Sequence, residues 1–413
     1  MTIPMYFDYL DTNTKNIKKF NGWDLDYCHH IAYDDDDAES FIPWPLKDTM
    51  KRVNSTYKGY YYYPIYVHVA ASGPADYFMN DSVYIKIPSK VKTDLRNNRA
   101  KLLLINIYEG HGWKQFEHFL MKKIIVPHNL KLSHVVFISG NTEPYINGIP
   151  NVYYNEWENI IIHHEGSAPH LFRECVERIH NDKLLPHKFL CLQRRPHEHR
   201  MAIYAEMYKY RDDGILTMGN GDFSDNYFEG DALQGSLYNL NLFYPKVVEK
   251  FKNLLHTIPR EYDVNLATEN PTSDDNVEKY LDSYLHIVSE TFHQNEEGRI
   301  FFSEKIIKPF VFLQPFVLFG EAHSLTRLQE LGYQTCGEFI DESYDAIEND
   351  QDRLYAALKS VKKFIKKDKE EMHQIMKDML PIFIHNYFTL SKSAKEHPNL
   401  MPDLQKAFPN IVR

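Results

Sequence analysis

The chain has few cysteines, no surplus of positive charge and no long apolar run, and each shortage removes a class of protein. Its four cysteines, Cys28, Cys175, Cys191 and Cys336, stand far apart and form no Cys-x-x-Cys pair. That spacing speaks against a disulfide framework or a structural zinc site and fits a reducing interior. The formal charge is −10, whereas proteins that live on nucleic acid carry a basic balance or stripe. Non-specific duplex binding is therefore not expected, though a local basic cleft is compatible with this charge. No stretch of about 18 apolar residues occurs. The opening Met1-Thr2-Ile3-Pro4-Met5-Tyr6-Phe7-Asp8 has neither a basic n-region nor an apolar h-region. The expectation is a cytoplasmic protein without a membrane anchor. No strand is followed by Gly-x-Gly-x-x-Gly, which leaves little support for a nucleotide-binding oxidoreductase.

What is present is material for a large core. The 413 residues suggest two domains with room for a terminal appendage. Hydrophobic residues make up 43% and aromatics 14%, enough apolar surface to offset chain entropy along most of the length. Asp34 to Asp37 read as a solvated loop.

Short apolar runs alternate with helical patterns, the mark of an α/β sheet protein. Strands are expected at residues 60–70, 101–108, 134–139 and 159–163, with helices at 113–122 and within 166–182. Residues 181–187 look like a connector, after which the pattern restarts. A strand at 188–192, a helix at 199–210, a strand at 284–289, and a helix then a strand within 301–320 follow, with 214–278 loop-rich between them. Leu325 to Leu331 should form a short helix ending at Gly332. Residues 350–379 should be helical, and the last residues a helix packing back on the first domain.

Two segments carry the chemistry. In Ser303-Glu304-Lys305, Ser303 suits a helix N-cap and Glu304 the first turn. The free amides of such a turn bind phosphate, and Lys305 adds a cation. Glu304 is alternatively an acceptor for sugar hydroxyls, and Pro309 should kink the helix early. An ordinary capped helix with a solvent ion pair explains the same residues. In Gln193-Arg194-Arg195-Pro196-His197-Glu198-His199-Arg200, two arginines directly after a strand can clamp phosphates, or form surface ion pairs, and Arg200 is placed to pair internally. His197 and His199 lack a third ligand at metal spacing.

The stretch from Leu190 to Arg200 resembles a segment of bacterial and phage glycosyltransferase-like proteins. Residues 289–320 resemble the donor-binding signature of the α1,3-fucosyltransferase family: a strand ending in Glu, a gap, Ser/Thr-Glu-Lys, an apolar helix and a strand ending in Gly. Residues 339–345, with Arg353, resemble the tail of the phage and bacterial group. The likeness covers most of the C-terminal half and is patchy before residue 180. It implies a GT-B fold of two Rossmann-like domains with a cleft between them, at 1–184 (acceptor side) and 185–375 (donor side), with a helical tail at 376–413. It also implies an inverting, metal-independent transfer of sugar from a nucleotide-diphosphate sugar to a hydroxyl, in the cytoplasm of a bacterium or an infected host. Donor binding falls to Arg194, Arg195, Glu290, Ser303, Glu304 and Lys305. The general base is Glu109, beside Gly110 and Gly112, or Glu143, in a Ser139–Pro144 stretch loosely similar to the family's Gly-Glu-Asn region.

The acceptor is a glycan or a hydroxymethylated base of phage DNA. Phage DNA glucosyltransferases share the GT-B plan, and lysines at 362, 363, 366, 367 and 369 favour that version, although a solvated helix face explains them equally. The alternative is a non-catalytic protein that keeps the fold as a nucleotide-binding or structural module. Donor base, donor sugar and oligomeric state stay open.

Overall fold

The structure, a computed structural model, describes residues 2–7, 19–20, 23–24, 43–66, 85–106, 117–142, 146, 148–163, 168–219, 230–258, 274–295 and 300–412. The protein is α/β and divides into two compact units. The first comprises Met1–Glu156, Glu296–Phe302 and Lys392–Arg413; the second comprises Trp157–Asn295 and Ser303–Ser391.

The strands of the first unit are β1 (Ile3–Tyr6), β2 (Lys19–Phe20), β3 (Trp23–Asp24), β4 (Met50–Val53), β5 (Tyr61–Tyr66), β6 (Ala100–Asn106), β7 (Val135–Ser139) and β8 (Asn151–Tyr153). β2 and β3 pair as a small antiparallel ribbon. The others form a parallel sheet in the order β4-β1-β5-β6-β7-β8. Alternate side chains enter cores on opposite faces: Tyr61, Tyr63, Leu102, Leu104, Val135 and Phe137 on one, Tyr62, Leu103, Ile105, Val136 and Ile138 on the other. Burial on both faces is why these strands read as unbroken apolar runs. The chain's last segment covers the second face through Leu400, Leu404, Phe408 and Ile411. There the Tyr62 hydroxyl donates to the Leu404 carbonyl at 2.7 Å.

The second unit holds β9 (His187–Cys191), β10 (Ile215–Leu216), β11 (Ser283–Ser289) and β12 (Phe316–Phe319), parallel in the order β10-β9-β11-β12. In both sheets the first core strand is flanked by the second on one side and the third on the other. That reversal of strand order makes a crevice at the carboxyl ends, the place where open α/β sheets take ligands. In the second unit it lies between β9 and β11.

Several expectations are corrected. The run Asn159–His163 is part of the helix Glu156–His163, not a strand. A short buried apolar run has no period that separates strand from helix. Residues 214–278 contain the helices Gly230–Phe243, Val248–Lys252 and Asp274–Leu281. The helix at Glu304–Val311 contains Pro309. The units divide after Glu156 rather than near residue 184, because the Ala168–His180 helix is tied into the second unit. Its Arg178 donates to the carbonyls of Tyr280 and Leu281, both at 3.0 Å, and of Phe312 at 2.9 Å and Leu313 at 3.3 Å. One guanidinium thus bonds carbonyls at the carboxyl ends of two helices, where intrahelical donors run out.

Gly332 takes φ +95° just after the Ser324–Glu330 helix, as a helix-terminating glycine should. Cys175, Cys191 and Cys336 are buried free thiols, and Cys28 lies outside the described residues. No helix among the described residues is long and apolar enough to cross a membrane.

Arg178→Met should lower unfolding stability by roughly 2–4 kcal/mol, since charge-assisted bonds to buried carbonyls are lost together. Urea denaturation of variant and wild type measures it; a change within about 0.5 kcal/mol would show that these carbonyls find other partners.

Candidate functional site

The site is the carboxyl edge of β9 and β11. β9 ends at Cys191, and Gln193 follows with 1% exposure. Its amide N–H donates to Thr217 Oγ1 at 3.2 Å, and its Nε2 donates to Ser289 Oγ and Cys191 Sγ, both at 3.3 Å. Gln193 Oε1 is buried and has no partner among the described residues. The Gly219 N–H donates to the Gln193 carbonyl at 2.7 Å. A Cβ at Gly219 would come within 2.6 Å of the Arg194 carbonyl oxygen, so only glycine allows this loop to close on the next strand.

Arg194 and Arg195 are half-buried in that loop. Arg200, one turn into the Glu198–Met207 helix, is buried and turns inward. Its Nη2 donates to the carbonyls of Ser289 at 3.2 Å and Glu290 at 3.1 Å, and its Nη1 donates to that of Arg195 at 3.4 Å. His199 Nε2 lies 2.9 Å from the same Glu290 carbonyl, so that nitrogen carries the proton.

Glu290 extends the link to the next element. Its Oε1 accepts from the Ser303 amide at 3.2 Å and its Oε2 from the Ser303 hydroxyl at 2.5 Å. That hydroxyl in turn accepts from Lys305 N and Lys305 Nζ, both at 3.3 Å. A serine hydroxyl has one proton and two lone pairs, and all three are in use here. Burial raises the Glu290 pKa, and the Lys305 charge and the Ser303 bonds offset only part of that rise. Glu304 Oε1 accepts from Lys305 Nζ at 2.6 Å. Burial disfavours this carboxylate too, but Lys305 and Lys308 prevail and hold it down at about 2.

The expected residues thus sit on one connected edge: Arg195 to Arg200 to Glu290 to Ser303 to Lys305. The His197 imidazole is pushed well below its ordinary pKa by burial, then by the charges of Arg200, Arg195 and Lys305 among others. Two expectations change in detail. Glu290 has both oxygens on Ser303, and Glu304 is engaged by Lys305, so each arranges the loop and helix start around it. Glu109 and Glu143 lie outside the described residues.

Sequence reasoning passed over Gln193, His286, His293 and Lys308. The signal for Gln193 was a polar side chain immediately after a buried strand. His197, His199 and His293 form a column, with ring centroids 6.0 Å and then 5.4 Å apart, and Tyr244 Oη lies 2.9 Å from His293 Nδ1. No group of His, Cys, Asp and Glu among the described residues is arranged to hold a metal ion. Of the lysines noted above, Lys362 bonds Glu206 at 2.6 Å, Lys367 pairs with Glu371, and Lys369 donates to the Pro186 carbonyl at 2.6 Å. Lys363 and Lys366 remain exposed. Residues 341–345 are occupied in turn and cap bonds: Asp341 accepts from the Ser343 amide, and Asp345 from the amides of Leu325 and Thr326.

The chain matches no protein-family model, and no curated protein matches it. It is similar to a solved structure of the Candida albicans trehalose-6-phosphate phosphatase N-terminal domain. The two share 9% identity over 84% of this chain and 71% of that one, with a TM-score of 0.38, a likeness too loose to assign an activity.

The buried histidines make stability pH-dependent. Burial, then Arg200, lowers His199 to about 3; burial, then Lys308, lowers His286 to about 3. Both are neutral when folded, and in the unfolded chain they take up protons below about pH 6.5. Each therefore removes up to about 1.4 kcal/mol of stability per pH unit as pH falls from about 6.5 towards 3. Glu342, raised to about 7 by burial, works in the opposite sense across part of that window, so a difference measurement is needed. His199→Gln, which keeps a donor for the Glu290 carbonyl, should reduce the loss of stability between about pH 6.5 and 5 relative to wild type. Equal pH slopes in denaturant melts would show that His199 is not held neutral.

Proposed function

We propose that this protein is a GT-B-type glycosyltransferase that takes a sugar from a nucleotide-diphosphate donor held by the second unit and delivers it to a hydroxyl acceptor. The observation that carries the reading is the edge between β9 and β11. A phosphate-attracting helix start (Ser303, Lys305) and an arginine-bearing loop (Arg194, Arg195) are tied there to one strand end through Glu290 and Arg200. The residues similar to the fucosyltransferase donor signature are the ones on that edge.

In the reaction, the acceptor oxygen attacks the anomeric carbon as the bond from that carbon to the diphosphate oxygen breaks. The acceptor proton passes to a carboxylate, Glu109 or Glu143. Negative charge grows on the departing diphosphate, and fixed cations and helix amides aimed at it lower the barrier. Lys305 and Arg195 are assigned that role, with Arg194 as a second guanidinium. Glu290 and Ser303 position Lys305. The acceptor we favour is a glycan, since Lys362, Lys367 and Lys369 are engaged within the second unit rather than presented to a DNA backbone.

Thermal-shift titrations with nucleoside diphosphates and their sugars should show stabilisation by one base type. The apparent affinity should fall about tenfold or more in Lys305→Ala and Arg195→Ala. Release of nucleoside diphosphate from the best sugar donor then reports turnover; binding without release would favour the non-catalytic module. If millimolar nucleotide leaves the melting temperature unchanged, the transferase reading is wrong.

A further inference from the structure

The chain passes from the first unit to the second between Phe302 and Ser303. Phe302 closes the Glu296–Phe302 segment of the first unit, and Ser303 opens the Ser303–Ser391 stretch of the second. Up to Phe302 the bonds are those of the first unit. The Ile300 carbonyl accepts from the Thr142 amide at 2.9 Å and from Thr142 Oγ1 at 3.2 Å. Phe301 pairs with Asn141 in an isolated antiparallel bridge, and the Phe302 carbonyl accepts from Asn155 Nδ2 at 3.1 Å. From Ser303 on they are those of the second, beginning with the Ser303 amide, which donates to Glu290 Oε1 at 3.2 Å.

The Phe302 carbonyl and the Ser303 amide belong to one peptide group. That group is a rigid plane whose C=O and N–H point in opposite directions. A bond at each end, from Asn155 and to Glu290, fixes how the plane is turned. It carries Ser303, whose hydroxyl meets Glu290 Oε2 and accepts from Lys305 N. Asn155, Glu290, Phe302 and Ser303 are all buried, so a main-chain group released here has little water to turn to. Asn155 stands directly before Glu156, where the opening stretch of the first unit ends.

We propose that Asn155 is a positioning residue for the helix start at Ser303. Through the shared peptide group it makes the order of that start, and with it the affinity for the nucleotide donor, depend on the first unit. The donor clause rests on the transferase reading; the ordering of the helix start does not.

Hydrogen–deuterium exchange of the full chain without ligand should be about fivefold or more faster at the Ser303 and Lys305 amides in Asn155→Ala. Asn155→Leu, which fills the volume but has no donor, should do the same and guards against a misfolded alanine variant. In each folded variant the Ser303 amide resonance should move from its wild-type position. Tyr62→Phe, which removes the first unit's bond to the Leu404 carbonyl, is the control and should change neither readout. Wild-type exchange at both amides in both Asn155 variants, or an equal rise in Tyr62→Phe, overturns the proposal. The affinity for a nucleoside diphosphate should also fall about fivefold or more in Asn155→Leu. An unchanged affinity overturns the donor clause and leaves the transferase reading intact. Faster exchange in a chain that binds no nucleotide upholds the ordering role and removes the transferase reading.

Discussion

Glu290 ends a strand buried along its whole length, with its carboxylate bonded twice by Ser303 and its carbonyl approached by both His199 and Arg200. A polar strand end that is sealed from water must find every partner within the protein. Here those partners come from the helix after β9 and from the start of the helix before β12. The same bonds that satisfy the strand end therefore tie the loop after β9 to the helix start that carries Lys305.

Buried arginines do much of this work, and they do it through main-chain carbonyls. Arg178 collects carbonyls from two helix ends. Arg353, 2% exposed, donates to the carbonyls of Gly320, Ile347, Glu348 and His293 and pairs with Asp350. Arg200 holds the ends of β11 and of the β9 loop. A guanidinium presents five donors in a rigid fork, which matches clustered carbonyls at a sheet edge as well as it matches phosphate. This dual aptitude is why an arginine after a strand is ambiguous in a sequence. Arg194 and Arg195 read from sequence as ligand groups, while Arg200, five residues beyond Arg195, bonds the carbonyls of Arg195, Ser289 and Glu290.

The alternation of strands and helices was legible because each parallel strand is buried on two faces and leaves an unbroken apolar run, as in Lys101-Leu102-Leu103-Leu104-Ile105-Asn106. Where apolar residues were few or a run was short, the pattern failed. Asn159–His163 looked extended but is helical, and β1, β4 and β8 are only three or four residues each, too short to show a period. At the site, Ser303 was legible as a cap because capping is local chemistry. Gln193 and His286 were not, because what marks them is a missing partner, and partners are assigned by packing.

Sequence alone therefore determined the α/β class, the helix start at Ser303 and the proximity of two arginines to a strand end, since these depend on neighbours a few positions away. Tertiary structure decided that the segment returning to the first unit starts at Lys392 and that the second unit begins at Trp157. It also decided that Glu290 faces Ser303. Those outcomes depend on which buried polar groups meet across distances of tens to hundreds of residues, and no local pattern encodes a meeting of that kind.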